Sequence, residues 1–206
     1  MLDDWIHLHT PGLPDAPVLL MLHGTGSNER DIAGLAGMLH PDATVLSPRG
    51  RVSENGMNRW FRRLSEGVFD VEDVVTRSAE LVDFIARARE AYGLEGRQLI
   101  AVGLSNGANI ALATALLRPD VIDRVVAFSG MFPLDDRELD TDLSASAIFL
   151  ANGVSDPMAP HESVNRLVAA LDARGAEVTR SSRPGGHGID QADFAAAQEW
   201  LRQHAA

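Results

Sequence analysis

The chain has 206 residues, of which 45% are hydrophobic, and this predicts a single globular domain over residues 1–206. The formal net charge of -11 disfavours nucleic acid and anionic membranes as partners, so we expect to find neither. Cysteine is absent, which excludes disulfides and thiolate chemistry and fits an expected cytoplasmic location. We also expect no secretory signal and no membrane span, because the longest apolar run is residues 18–22.

The N-terminal region predicts a first strand at the edge of a sheet, in which His7 and His9 share one face. Two histidines on one face can hold a metal, but no third ligand lies nearby in sequence, so a solvated strand edge is favoured. Val18–Leu22 is a continuous apolar run, typical of a strand buried on both faces.

A glycine-containing loop, residues 23–28, follows this second strand. Its backbone amides can turn toward a ligand, and we expect the amide of Thr25 to donate to an oxyanion. A phosphate cradle is the less favoured interpretation because the lysine of that motif is missing. We interpret His23 as a structural residue that holds the loop.

The next segment predicts one amphipathic helix over residues 31–39 and a strand over residues 43–47. A long polar loop then extends to about residue 68 and includes the arginine-rich stretch 58–63. Loops of this length in compact domains are often functional. Either its aromatic and arginine side chains line a pocket for an acidic substrate group, or Trp60 and Phe61 pin a solvated loop to the core.

A strand, a tight corner and a small-residue helix follow one another between residues 99 and 115. The corner Gly103-Leu104-Ser105-Asn106-Gly107 fits G-x-S-x-G, the pattern of a nucleophile elbow. A serine in this turn projects from the end of the sheet, and the flanking glycines remove side chains that would collide there. The helix N-terminus directs amide dipoles at the place where an oxyanion would form.

Helices and apolar strands alternate along the rest of the chain. The predicted elements are a helix over 71–92 capped by Gly93, strands at 125–130, 147–153 and 178–181, and helices at 164–171 and 194–201. This alternation predicts an α/β fold with a mostly parallel central sheet and helices on both faces. Ligands of such sheets bind at the carboxyl ends of the strands, so four pieces are expected on one rim: the loop of residues 23–26, Ser105, Asp156 and His187.

A serine nucleophile needs a base and an acid that orients the base. His187 lies in the glycine-rich loop after the last strand and is the candidate base. Asp156 follows the preceding strand and is the favoured acid, although an aspartate there can also cap the next helix. Asp135 and Asp136 are the rival acids. The order Ser105, Asp156, His187 is that of the α/β-hydrolases.

Four stretches, LHGTGSNERD, GLSNGANIAL, ANGVSDPMAP and PGGHGI, resemble the phospholipase/carboxylesterase branch of the α/β-hydrolases, which includes acyl-protein thioesterases. The segment SPRGRVSENGMNRWFRR resembles a bacterial carboxylesterase subgroup linked to hydroquinone-type stress. The resemblance implies an α/β-hydrolase without a large lid domain, acting on short- to medium-chain acyl esters, requiring no cofactor or metal, and often dimeric. It implies a small-molecule ester as substrate.

The resemblance also implies roles for individual residues: Ser105 as nucleophile, Asp156 as acid, His187 as base, and the amides of Thr25 and Asn106 as oxyanion donors. Loop position makes four residues candidates for the substrate pocket, namely Trp60, Met131, Phe132 and Met158. The acyl-protein thioesterases lack the arginine-rich stretch, which favours small esters, including those with an acidic group. A thioesterase or lysophospholipase with the same machinery, and a non-catalytic ligand-binding homologue, remain alternatives.

Overall fold

The computed structural model describes residue 2 and residues 4–205. In chain order, the elements are β1 (His7–Thr10), β2 (Val18–Leu22), α1 (Glu29–Ala33), α2 (Ala36–Leu39), β3 (Thr44–Pro48), β4 (Val52–Glu54), β5 (Met57–Arg59), β6 (Arg63–Ser65), β7 (Val68–Phe69), α3 (Val71–Tyr92), β8 (Leu99–Leu104), α4 (Asn106–Leu117), β9 (Arg124–Phe128), β10 (Ala147–Gly153), α5 (His161–Asp172), β11 (Glu177–Arg183) and α6 (Gln191–His204).

Seven strands form the central sheet, in the order β1-β3-β2-β8-β9-β10-β11. β1 pairs antiparallel with β3, and the other neighbouring pairs run parallel. Parallel strands end at the same edge of a sheet, so the loops after β2, β8, β9, β10 and β11 lie along one rim. The predicted mostly parallel sheet is confirmed.

The apolar strands bury side chains on both faces of the sheet, because successive residues of a strand point in opposite directions. In β2, Leu20 and Leu22 belong to a core shared with α3, α4 and α5. Leu19 and Met21 belong to a second core shared with α1, α2 and α6. Helices therefore cover both faces, as the continuous apolar runs predicted.

Two predictions for the region between residues 29 and 70 were wrong. The single helix expected over 31–39 is two short helices, α1 and α2, separated at Gly34 and Leu35. Glycine has low helix propensity, which weakens the middle of that segment. The expected long loop contains two hairpins, β4–β5 and β6–β7. The first turns at Asn55 and Gly56, both with positive φ, as a two-residue hairpin turn requires.

The edge histidines of β1 pack against the end of α3. Nε2 of His7 lies 2.6 Å from the Tyr92 hydroxyl, and the ring of His9 stacks on Tyr92 at 3.9 Å between centroids. Both side chains are thus partly buried at the predicted sheet edge. The described residues contain no cluster of three or more histidine, aspartate or glutamate side chains suited to a metal ion. None of the described helices is both long enough and apolar enough to cross a membrane.

Candidate active site

Ser105 occupies a strained turn between β8 and α4. Its φ of 54° and ψ of -116° lie in a region that residues with a side chain rarely adopt. The turn is fixed by the Ser105 N–H, which donates to the Phe128 carbonyl at 2.8 Å. A Cβ on Gly107 would lie 1.9 Å from the Leu22 carbonyl oxygen, and one on Gly103 would lie 2.5 Å from the Ala108 nitrogen. Glycine is therefore required at both flanking positions, as the motif predicted.

Asp156 and His187 form a hydrogen-bonded pair after β10 and β11. Nδ1 of His187 lies 2.8 Å from Oδ2 of Asp156, whose side chain is fully buried. Oδ1 of Asp156 accepts the backbone N–H groups of Met158 at 2.8 Å and Ala159 at 3.2 Å. Because Nδ1 is engaged with the carboxylate, Nε2 is the ring nitrogen available to take a proton.

The sequence left two alternatives open: Asp156 as a helix cap, and Asp135 or Asp136 as the orienting acid. The contacts support neither. Pro160 precedes the first residue of α5 and provides no side-chain cap, so Asp156 orders the turn before the helix and does not cap it. The rival acids Asp135 and Asp136 are exposed and pair with Arg166 at 3.2 and 3.0 Å. Of the three aspartates, Asp156 is the one bonded to His187.

The loop that carries His187 is held from two sides. Ser129 Oγ donates to the Gly188 carbonyl at 2.8 Å and accepts the Gly188 N–H at 3.1 Å. Arg183 donates from Nη2 to the carbonyls of Gly186 and Gly188, both at 2.9 Å. Ser129 directly follows Phe128, whose carbonyl binds the N–H of Ser105. The His187 loop is therefore docked next to the elbow.

The two candidate oxyanion donors flank Ser105. A Cβ on Gly24 would lie 3.8 Å from the Cβ of Ser105, so the loop after β2 runs beside the elbow. Thr25, Ser105 and Asn106 line one cleft of about 170 Å³. The Thr25 N–H has no backbone acceptor in the described chain, and the Asn106 N–H belongs to the first turn of α4, where no intrahelical acceptor exists. Both amides are thus suited to an external oxygen.

His23 holds the start of this loop. Its Nε2 accepts the Gly50 N–H at 2.9 Å, so Nδ1 carries the proton and donates to the Gly24 carbonyl at 2.8 Å. Burial lowers the pKa of His23, which keeps the imidazole neutral and this tautomer in place. These contacts match the structural role expected from the sequence.

The four predicted pocket residues occupy three different environments. Met158 lines the cleft and is 45% exposed. Met131 and Phe132 line a neighbouring cavity of about 330 Å³, which shares wall residues with the cleft. The shared wall residues are Gly67, Phe69 and Pro160. Trp60 does not line either cavity: it is 2% exposed, and its indole N–H donates to the His23 carbonyl at 2.9 Å. The assignment of Trp60 to the pocket was therefore wrong, because the ring faces the core.

Two arginines from the arginine-rich stretch line the cleft beside Ser105. Arg59 is 3% exposed, and burial lowers the pKa of its guanidinium while Glu54 raises it. Both Arg59 and Arg63 contact the carboxylate of Glu54, at 3.1 and 2.9 Å. Arg62, by contrast, is exposed and pairs with Asp70. The cleft wall thus carries two guanidinium groups around one shared carboxylate, and the exposed Glu66 also lines the cleft.

The family model for Phospholipase/Carboxylesterase matches residues 6–205. The chain belongs to this family. Its architecture is the α/β-hydrolase fold, and the structure of the Bacillus cereus carboxylesterase superposes with a TM-score of 0.92 and 36% identity, covering 97% of this chain and 94% of that one.

Two further proteins are similar to this chain over nearly their full length. The putative hydrolase MhqD of Bacillus subtilis is 41% identical over 197 residues, covering 96% of this chain and 98% of MhqD. The structure of YahD with malic acid has a TM-score of 0.90 and 31% identity, covering 97% of this chain and 98% of that one. These relatives place the chain in a family of hydrolases and esterases.

Proposed function

We propose that this protein is a serine carboxylesterase that hydrolyses short- to medium-chain acyl esters, with Ser105 as nucleophile, His187 as base and Asp156 as orienting acid. The hydrogen bond of 2.8 Å between Asp156 and His187 carries the proposal, because it fixes the imidazole in the tautomer that a general base needs. The strained backbone of Ser105 also supports the proposal, because an elbow of this kind exposes the serine hydroxyl at the rim of the sheet.

The reaction follows from this arrangement. Ser105 Oγ attacks the ester carbonyl carbon while its proton moves to Nε2 of His187, and the carbonyl electron pair moves onto the oxygen. The amides of Thr25 and Asn106 donate to that oxyanion, and one such donor contributes roughly 3 kcal/mol. The oxyanion collapses, the carbon–oxygen bond to the alcohol breaks, and His187 returns the proton to the alcohol. Water then repeats the steps on the acyl-enzyme and releases the carboxylic acid.

The dimensions and charge of the cleft support a small substrate. The cleft of about 170 Å³ adjoins the cavity of about 330 Å³, which gives separate space for the acyl and alcohol groups. Arg63 in the cleft wall, whose side chain is partly exposed, favours an ester that also carries an acidic group. The similar protein YahD has been crystallised with malic acid, a small dicarboxylic acid, which supports the same substrate class.

Labelling and turnover test the proposal together. Wild-type protein should react with a fluorophosphonate probe and hydrolyse p-nitrophenyl butyrate, whereas Ser105→Ala should do neither while keeping the wild-type circular dichroism spectrum. Residual labelling or full turnover in Ser105→Ala would remove Ser105 from the mechanism. Failure of the wild-type protein to react with the probe would favour a non-catalytic binding protein.

Thioester hydrolysis is the second candidate because it uses the same groups. A matched pair, S-phenyl thiobutyrate and phenyl butyrate, separates the two activities. A higher kcat/KM for the oxygen ester supports the carboxylesterase, and a preference for the thioester supports the alternative.

A further inference from the structure

The consecutive residues 58–60, which comprise the last two residues of β5 and the next one, contact most of the loop that follows β2. The carbonyl of Asn58 accepts the Gly26 N–H at 2.9 Å, and its side-chain amide donates to the Ser27 carbonyl at 2.9 Å. Arg59 donates from Nη1 to the Thr25 hydroxyl at 3.0 Å. The loop that carries one oxyanion donor is therefore bonded along its length to this segment.

Trp60 connects that loop to the elbow. Its indole N–H donates to the His23 carbonyl at 2.9 Å, and its backbone N–H donates to Oδ1 of Asn106 at 2.7 Å. The Asn106 side chain is buried, and its Nδ2 has no hydrogen-bond partner among the described residues. The bond from Trp60 is thus the hydrogen bond that orients this side chain. Trp60 therefore bonds both to the loop that carries the Thr25 amide and to the side chain of Asn106, whose backbone amide is the other donor.

The segment is itself firmly held. Arg59 pairs with Glu54 on the adjacent strand β4 and donates to the Phe61 carbonyl at 3.2 Å. A Cβ on Gly50 would lie 2.4 Å from the Arg59 carbonyl oxygen, so the backbone of the preceding loop packs directly against the segment. The ring of Phe61 is fully buried and contacts Phe69. These contacts give the segment a fixed position relative to the cleft.

We propose that residues 58–60 form an oxyanion brace, in which Trp60 is the positioning residue that sets the separation of the Thr25 and Asn106 amides. The inference rests on the proposed function, because it assigns these amides to a developing oxyanion. Donors that are held in place before the reaction stabilise the transition state more than the ground state. The brace therefore acts on kcat and leaves ground-state binding of the ester nearly unchanged.

Trp60→Phe tests the brace because it removes the indole N–H and keeps an aromatic ring. We expect kcat for p-nitrophenyl butyrate to fall about 10- to 100-fold, with KM within about twofold of wild type, since small misplacement of catalytic groups has effects of this size. Trp200→Phe is the matched control. Trp200 is equally buried, lies in the core on the other face of the sheet, and its indole N–H has no partner in the described chain. Its kcat should remain at the wild-type value.

Thr25→Val provides a second, nearly isosteric test that leaves the core intact. It removes the hydroxyl that Arg59 binds and keeps the backbone amide, so kcat should fall about tenfold with little change in KM. Thr44→Val is the control, because Thr44 is buried and its hydroxyl accepts a single bond, from the Gly12 N–H, far from the cleft. That variant should retain wild-type kcat.

A tetrahedral inhibitor separates positioning from general loss of structure. Phenylboronic acid forms a tetrahedral adduct with an active serine, so its inhibition constant should rise in Trp60→Phe and Thr25→Val in parallel with the loss of kcat. Unchanged kcat in both variants, or a rise in KM alone, would refute the brace while leaving the esterase intact. An equal loss of kcat in Trp200→Phe would refute it as well. A wild-type protein without esterase activity would overturn both proposals.

Discussion

The carboxylate of Asp156 holds the imidazole of His187 through one oxygen, Oδ2, at 2.8 Å from Nδ1. Its other oxygen accepts two backbone N–H groups of the following turn. The carboxylate therefore cannot rotate without breaking bonds at both ends. This double attachment explains how an aspartate in a loop can hold a histidine that comes from a separate loop after β11.

The charge and geometry of Asp156 can be tested by Asp156→Asn. The amide preserves the shape but can place a hydrogen-bond donor opposite Nδ1, which favours the wrong tautomer of His187. We expect kcat for p-nitrophenyl butyrate to fall roughly a thousand- to ten-thousand-fold, the size of effect seen for such substitutions in serine hydrolases. Asp135→Asn is the control, since Asp135 is exposed and pairs with Arg166. Comparable kcat values for the two variants would show that Asp156 is not the orienting acid.

Ser129 should affect catalysis through the loop that it holds. Ser129→Ala removes two hydrogen bonds to Gly188, the residue after His187, so the imidazole loses part of its support. We expect kcat to fall about tenfold and the free energy of unfolding to fall by roughly 1–3 kcal/mol. Both quantities can be measured on one preparation, by ester turnover and by urea denaturation.

Ser47→Ala supplies the comparison for Ser129. Ser47 is also buried, and its hydroxyl lies within hydrogen-bonding distance of two carbonyl oxygens, those of Met21 and Glu29, away from His187. The variant should lose similar stability and keep kcat. If Ser129→Ala were destabilised but fully active, the position of the His187 loop would not depend on these bonds.

Close packing behind the elbow predicts a strong effect of Gly107→Ala on stability. The added Cβ would lie 1.9 Å from the Leu22 carbonyl oxygen, so strand and helix would have to separate. We expect the variant to be insoluble, or to lose about 3 kcal/mol or more of unfolding free energy. Gly37→Ala in α2 is the opposite case, because a Cβ there meets no atom within 4 Å. It should gain roughly 0.5–1 kcal/mol, read from the urea midpoint.

The parts of the fold that were predictable are those coded by contiguous residues. The run Val18–Leu22 forms the expected strand without a shift, and Gly93 ends α3 with a φ of 63°. The pattern around Ser105 predicted both the strained turn and the need for glycine on either side. In each case, the signal lies within a few contiguous residues, even where the atom that excludes a side chain is distant in sequence, as the Leu22 carbonyl is for Gly107.

The parts that were missed depend on contacts between distant segments. The stretch 58–63 predicted an aromatic anchor or a pocket wall, and the structure divides these roles, with Trp60 buried and Arg59 in the cleft wall. Nothing in a single sequence indicates that Trp60 bonds to His23 and Asn106. The β4–β5 hairpin did have a local signal, the Asn55-Gly56 pair, which is a strong turn former when flanked by strand residues. The hairpin was missed because the strands on either side of this pair are polar and lack the apolar pattern typical of a strand.

Arg63, the partly exposed arginine of the cleft wall, predicts selectivity for esters that carry a carboxylate. Arg63→Gln should raise KM for the mono-p-nitrophenyl ester of succinic acid about tenfold, because a charge-assisted hydrogen bond contributes roughly 1.5 kcal/mol. The same variant should leave KM for neutral p-nitrophenyl butyrate within about twofold of wild type. Arg62→Gln is the matched control: Arg62 is the preceding residue, its side chain is 61% exposed, and it pairs with Asp70 outside the cleft. Two results would show that the cleft does not select for a carboxylate on the substrate. One is an equal kcat/KM of the wild-type enzyme for the two esters, and the other is the same change of KM in both variants.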